Sequence, residues 1–163
     1  MKSDDDLLPI TVDPEPNSPA CLRGVWLLDN ASYRSLLQSL SQGSGGTIRS
    51  VTCQVVLTFG DGDTFESLYD GWKIITDTAE GSATIERNGI DSGVVRYRTG
   101  SFTLVEQQAG SSIQGLVETP GGNFPLPNVG SAADPIVETA GYTCAGDFLT
   151  VTLSEGDLSF RRF

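Results

Sequence analysis

The chain has 163 residues, 38% hydrophobic and 19% charged, enough for one globular domain with a buried core. Its formal charge of −11 disfavours nucleic acid and anionic membrane surfaces, because phosphate binding needs clustered Lys and Arg. The absence of His removes Ser-His-Asp and Cys-His nucleophile activation, and imidazole as a zinc or haem ligand. Cys21, Cys53 and Cys144 are too scattered for a metal site. No apolar run is long enough to span a membrane as a helix, and the N-terminus lacks the apolar core of a signal peptide.

Residues 1–19 hold four prolines among Asp4, Asp5, Asp6, Asp13 and Glu15, and read as an acidic linker or tail. The domain proper is expected over residues 20–163. No proline lies in residues 20–119, consistent with a stretch that is mostly hydrogen-bonded ladder. A first strand is expected over residues 21–28. A helix follows, capped by Asp29 or Asn30, with Tyr33, Leu36, Leu37 and Leu40 forming a one-sided apolar stripe. Gln42-Gly43-Ser44-Gly45-Gly46 ends it.

The period then becomes two. Val51, Cys53, Val55, Leu57 and Phe59 share one face of a half-buried strand over residues 48–59, and Cys53 is expected as a buried free thiol. Turn signals recur at Gly60-Asp61-Gly62-Asp63, Asn88-Gly89, Thr99-Gly100, Gly110-Ser111 and Glu155-Gly156. The runs between them (residues 65–76, 83–87, 94–98, 102–105, 148–153 and 158–163) make eight to ten short antiparallel strands. Such a meander avoids exposed edges by curling into an up-and-down barrel, the all-β fold expected here; a two-sheet sandwich is the alternative. Residues 119–135, rich in Pro and Gly, read as a long loop in which Phe124 and Leu126 can dip into a cavity.

Closure of the barrel would set the first and last strands side by side, with the Arg162 guanidinium over the Trp26 indole and Arg161 as the alternate. Gly24-x-Trp26 on the opening strand, with an Arg ending the last, resembles the lipocalin-like (calycin) barrels. The helix after the first strand looks like the fatty-acid-binding branch. Tyr142-Thr-Cys144-Ala-Gly146-Asp147-x-Leu149, followed by Phe160-x-Arg162, is similar to small bacterial exported domains of this type. The resemblance implies a cavity for a small apolar ligand and does not imply an enzyme; no catalytic residue, metal or cofactor is expected. Gly24, Trp26 and Arg162 would then be structural.

The same closure brings Cys21 and Cys144 together as a disulfide; three reduced thiols in a cytosolic protein are the alternative. Tyr69, Trp72, Tyr97 and Phe102 join Phe124 and Leu126 as candidate ligand contacts, with Arg96 and Arg98 pointing outward and Tyr97 inward. Asp61-Gly62-Asp63 fails as a calcium loop, because Phe65 and Glu66 occupy its third ligand and obligatory Gly positions. Asp70 and Glu66 receive no catalytic role. The function expected is non-catalytic binding of a small apolar molecule by an exported or surface-attached module. An extracellular structural or interaction domain is the alternative, its barrel filled by Trp26, Trp72, Phe59, Tyr97 and Leu104.

Overall fold

The computed structural model of the protein describes residues 17–42, 46–125 and 137–163. A short helix α1 (Pro19–Leu22) precedes β1 (Gly24–Leu28) and the helix α2 (Asn30–Ser41). Three long strands follow: β2 (Thr47–Phe59), β3 (Thr64–Thr78) and β4 (Gly81–Arg98). Then come β5 (Ser101–Ala109), β6 (Ser112–Thr119), β7 (Gly122–Pro125) and β8 (Val137–Ala145), and finally the hairpin of β9 (Phe148–Leu153) and β10 (Gly156–Arg162). All pairings are antiparallel. The ladder runs β3-β2-β1-β10-β9-β8-β5-β4, and a β3–β4 pairing closes it into an eight-stranded barrel. This is the expected barrel, not a sandwich, and it is compatible with a calycin-like fold.

Several local expectations are corrected. Cys21 and Leu22 belong to α1 rather than to the first strand. Pro19 sits in its first turn, where a missing N–H costs nothing. Asn88-Gly89 is not a hairpin turn but lies inside β4; the hairpin between β3 and β4 turns between Thr78 and Gly81 instead. Gly89 takes φ +119° because the next hairpin presses on it, and a Cβ there would meet the Gly110 carbonyl oxygen at 2.5 Å. Asn88 is also engaged: its side-chain oxygen accepts the Gly71 N–H at 2.9 Å, satisfying a donor freed where β3 bulges between Tyr69 and Trp72.

At this point β4 changes partners. Residues 91–98 pair with β5 inside the barrel, whereas residues 82–88 pair with β6. The far ends of β2, β3 and β4 thus extend past the barrel, and β6 and β7 continue that extension. Residues 119–125 therefore form a tight hairpin rather than the start of a long loop. Leu126, the rest of the expected loop, residues 1–16 of the tail and Gly43-Ser44-Gly45 lie outside the described residues.

The interior is built by alternation. Phe59, Leu57, Val55 and Cys53 are buried on β2, as the period of two requires, and a register shift between Ile48 and Ser50 lets Ile48 be buried as well. Helix α2 packs on β2 and β10 through Leu36, its buried residue, while Leu40 is left 54% exposed. Asp29 is the cap, accepting the Ser32 N–H at 3.1 Å.

Candidate functional site

The two ends of the barrel differ. At one end α1 plugs the interior. Cys21 and Cys144 form a disulfide that ties α1 to β8. Trp26, opposite Arg162 in the ladder, is fully buried and donates its indole N–H to the Leu22 carbonyl at 2.7 Å. The Arg162 guanidinium lies 4.2 Å from the centre of the Trp26 ring and donates to the carbonyls of Arg23 and Cys21. Gly24 makes room for it, since a Cβ there would stand 2.8 Å from Arg162 Nη1. Arg161 points to the other face, 5.7 Å from the Phe148 ring. The Asn17 carbonyl accepts from the Tyr142 hydroxyl at 2.7 Å and the Gly100 N–H at 3.1 Å, so this plug includes Asn17 from the sequence read as tail.

At the other end the interior is hollow. A cavity of about 270 Å³ lies beneath α2. Its apolar wall comes from Leu28, Val55, Leu57, Ala140, Val151 and Phe160, with Leu104, Leu153 and Leu158 nearer the charged side chains and the final hairpin. Tyr33 reaches it from α2, its ring 6.3 Å from that of Trp72. Burial pushes the Tyr33 phenol up to about 12 and the Cys53 thiol up to about 11. Cys53 is a buried free thiol, as its parity on β2 requires.

Of the candidate ligand contacts, Tyr69, Trp72 and Phe102 line this cavity. Tyr97 points inward, as expected, with Arg96 and Arg98 exposed, but it packs in the core away from the lining. Its hydroxyl is buried without a hydrogen-bond partner among the described residues. Phe124 lies on β7 and is 55% exposed, outside the lining, because the hairpin it belongs to pairs with the extension of β4.

Sequence reasoning missed the polar side of the cavity. A smaller space of about 110 Å³ shares Ser67, Tyr69, Arg87, Leu104 and Glu138 with the main cavity and adds Phe65, Asp91 and Glu106. The Arg87 guanidinium stacks 3.9 Å from the centre of the Tyr69 ring and pairs with Asp91, which is 2% exposed. Asp91 also accepts the Ser111 N–H and hydroxyl, each at 2.9 Å, and Arg87 Nε donates to the Ser111 hydroxyl oxygen at 3.0 Å. Both charges are thus held by hydrogen bonds as well as by each other, as a buried ion pair requires.

Glu106 and Glu138 face the same space, and no cation or donor partners either among the described residues. Burial and the nearby Asp91 push the Glu106 carboxyl above the usual carboxylate range, against the pull of Arg87. Burial raises the Tyr69 phenol as well; Arg87 lowers it, and Asp91, Glu106 and Glu138 add to the rise. All four charges therefore act on one point of the cavity. The signal was present in the alternation: Glu106 shares parity with Phe102 and Leu104, and Ser67 with Phe65 and Tyr69. Asp91 was hidden by the misplaced turn at Asn88-Gly89.

Glu66 and Asp70 are exposed on β3, outside the cavity. Among the described residues no group of His, Cys, Asp and Glu could hold a metal ion, and no helix is long and apolar enough to cross a membrane. No family model matches the chain, nor does any curated protein or solved structure.

Proposed function

We propose that the protein is a non-catalytic binder of a small, largely apolar molecule, a lipocalin-like module of bacterial type that works outside the cytoplasm. The observation that carries this is the hollow of about 270 Å³ beneath α2. It lies just below the about 300–1,000 Å³ usual for ligand sites, so the molecule is small. Apolar walls with a few polar groups at one side suit a ligand whose body is desolvated and whose one polar end is oriented. The Cys21–Cys144 disulfide supports an exported location, because such bonds persist in oxidising compartments.

The groups an enzyme would use are in part present, since carboxylates and Tyr69 open into the cavity. Asp91, however, already accepts from Arg87 and from the Ser111 N–H and hydroxyl, and that hydroxyl in turn accepts from Arg87 Nε, so the three groups are committed to one another within the ion pair. The reading of a filled interaction domain draws on the exposed Phe124 and Phe148. Titration with the neutral probe N-phenyl-1-naphthylamine separates the two. The binder gives saturable enhancement at one probe per chain, abolished in an Ala140→Phe variant that fills the hollow and keeps its circular dichroism. Absence of saturation, or binding indifferent to Ala140→Phe, would sink it.

A further inference from the structure

We infer that the molecule this cavity takes ends in a cationic group, an ammonium on an apolar body, and not in a carboxylate. The inference rests on the ligand-binding reading above and specifies its ligand. The polar side of the cavity presents one guanidinium, Arg87, against three carboxylates, Asp91, Glu106 and Glu138. The guanidinium is already charge-balanced and two of its three nitrogens are engaged: Nη2 is paired with Asp91, Nε donates to Ser111, and its face lies on the Tyr69 ring. Asp91 balances it, and both of its oxygens are engaged. The remaining charge is that of Glu106 and Glu138, which have no counter-ion among the described residues.

A second observation points the same way. The Ser67 side chain is buried, with 8% of the residue exposed, and lines both the main cavity and its polar annexe. Its hydroxyl opens into this space and has no hydrogen-bond partner among the described residues. Its oxygen can accept from an ammonium N–H beside the two carboxylates. Glu138 is exposed at the rim and Glu106 half-buried, so a cation placed between them keeps part of its hydration while the apolar body enters beneath α2. An incoming carboxylate meets two like charges there instead, and a like charge in a partly desolvated site is repelled.

The test uses decylammonium, decanol and decanoate, three probes of one chain length, each displacing N-phenyl-1-naphthylamine from the full chain at pH 7. The amine should bind at least tenfold tighter than the alcohol, and the acid more weakly than both. In the Glu106→Gln/Glu138→Gln double variant the amine should fall to the affinity of the alcohol while the alcohol is unchanged. Asp61→Asn/Asp63→Asn removes two charges from the hairpin joining β2 and β3, and should leave the preference intact. Loss of preference in this control as well assigns it to the overall charge and overturns the inference. So does decanoate binding as tightly as the amine, or a preference that survives the double glutamate change. Equal binding of all three probes overturns the inference but leaves the ligand-binding reading standing; displacement by none overturns both.

Discussion

The plugged end and the hollow end of this barrel are made from the same alternating strands, yet one is packed and the other is not. At the plugged end Trp26, Phe59, Leu22 and Leu149 are the most deeply buried large side chains, and the Arg162 guanidinium is spread over an indole and two carbonyls. The disulfide holds α1 down as its stopper. At the hollow end a 12-residue helix with a single buried leucine serves as cover, and the polar side of the cavity carries two acids with no partner among the described residues. A domain whose stability is concentrated at one end can leave the other underpacked, which is what a binding site needs.

If stability does reside in the plug, the largest loss should come from cutting its staple. A Cys21→Ser/Cys144→Ser variant releases a link spanning 123 residues of sequence. Removing a native disulfide costs about 2–5 kcal/mol. In differential scanning calorimetry the midpoint should fall by on the order of 10 °C. A fall of under about 2 °C would show that the plug holds without it.

Matched leucines sharpen the contrast. Leu149 is fully buried at the plugged end, while Leu158 lines the cavity and is only half-buried. Leu149→Ala leaves a void in packed surroundings and should cost about 2–5 kcal/mol. Leu158→Ala enlarges space that is already empty and should cost about 1 kcal/mol or less, because fewer packed atoms lose their contacts. Equal costs in urea denaturation would remove the distinction between the ends. Arg162→Ala is the next smaller change. It gives up the stack on Trp26 and two hydrogen bonds to carbonyls, about 1–3 kcal/mol in all. Arg162→Lys should recover only part of this, because an ammonium lacks the flat fork that meets ring and carbonyls together.

The plug was more legible in the sequence than the site, for a physical reason. Trp26, Arg162, Cys21 and Cys144 become neighbours as soon as the barrel closes, so one topological expectation placed all four. The buried face of β2 followed from local periodicity, and residue type narrowed the cap of α2 to Asp29 or Asn30, of which Asp29 serves. The hollow depends on longer-range events. Gly89 adopts its backbone only because Gly110 and Ser111 press on it, so Asn88-Gly89 carried a hairpin signature in a place where tertiary packing required a continuous strand. That misplaced turn split β4 and concealed Arg87 and Asp91 as partners within one strand. Residues 112–118 were not read as a strand, and residues 119–125 were read as a loop, because their hairpin pairs only with the far part of β4 and buries little.

The smallest expected effect bears on the hollow end alone and concerns pH. Burial, reinforced by Asp91, raises the Glu106 carboxyl above its ordinary value, so the folded protein holds this proton more tightly than the unfolded chain does. Its contribution therefore favours folding below the ordinary carboxylate range and is lost as pH rises through the folded value. At pH 7 the ionised side chain works against the fold. Glu106→Gln should accordingly raise the thermal midpoint at pH 7 relative to the wild type, and the two proteins should converge below about pH 4, where both carry a neutral side chain. Glu106 retains considerable contact with water, so screening limits the gain to under about 1 kcal/mol. Added salt should narrow it further by weakening the repulsion from Asp91. Saturation with decylammonium should reverse the sign at pH 7, since the ionised form then has a counter-ion that the glutamine cannot match. A Glu106→Gln variant less stable than the wild type at pH 7 without ligand would mean that Glu106 is already paired in solution, and the hollow end would then hold no carboxylate waiting for a cation at Glu106.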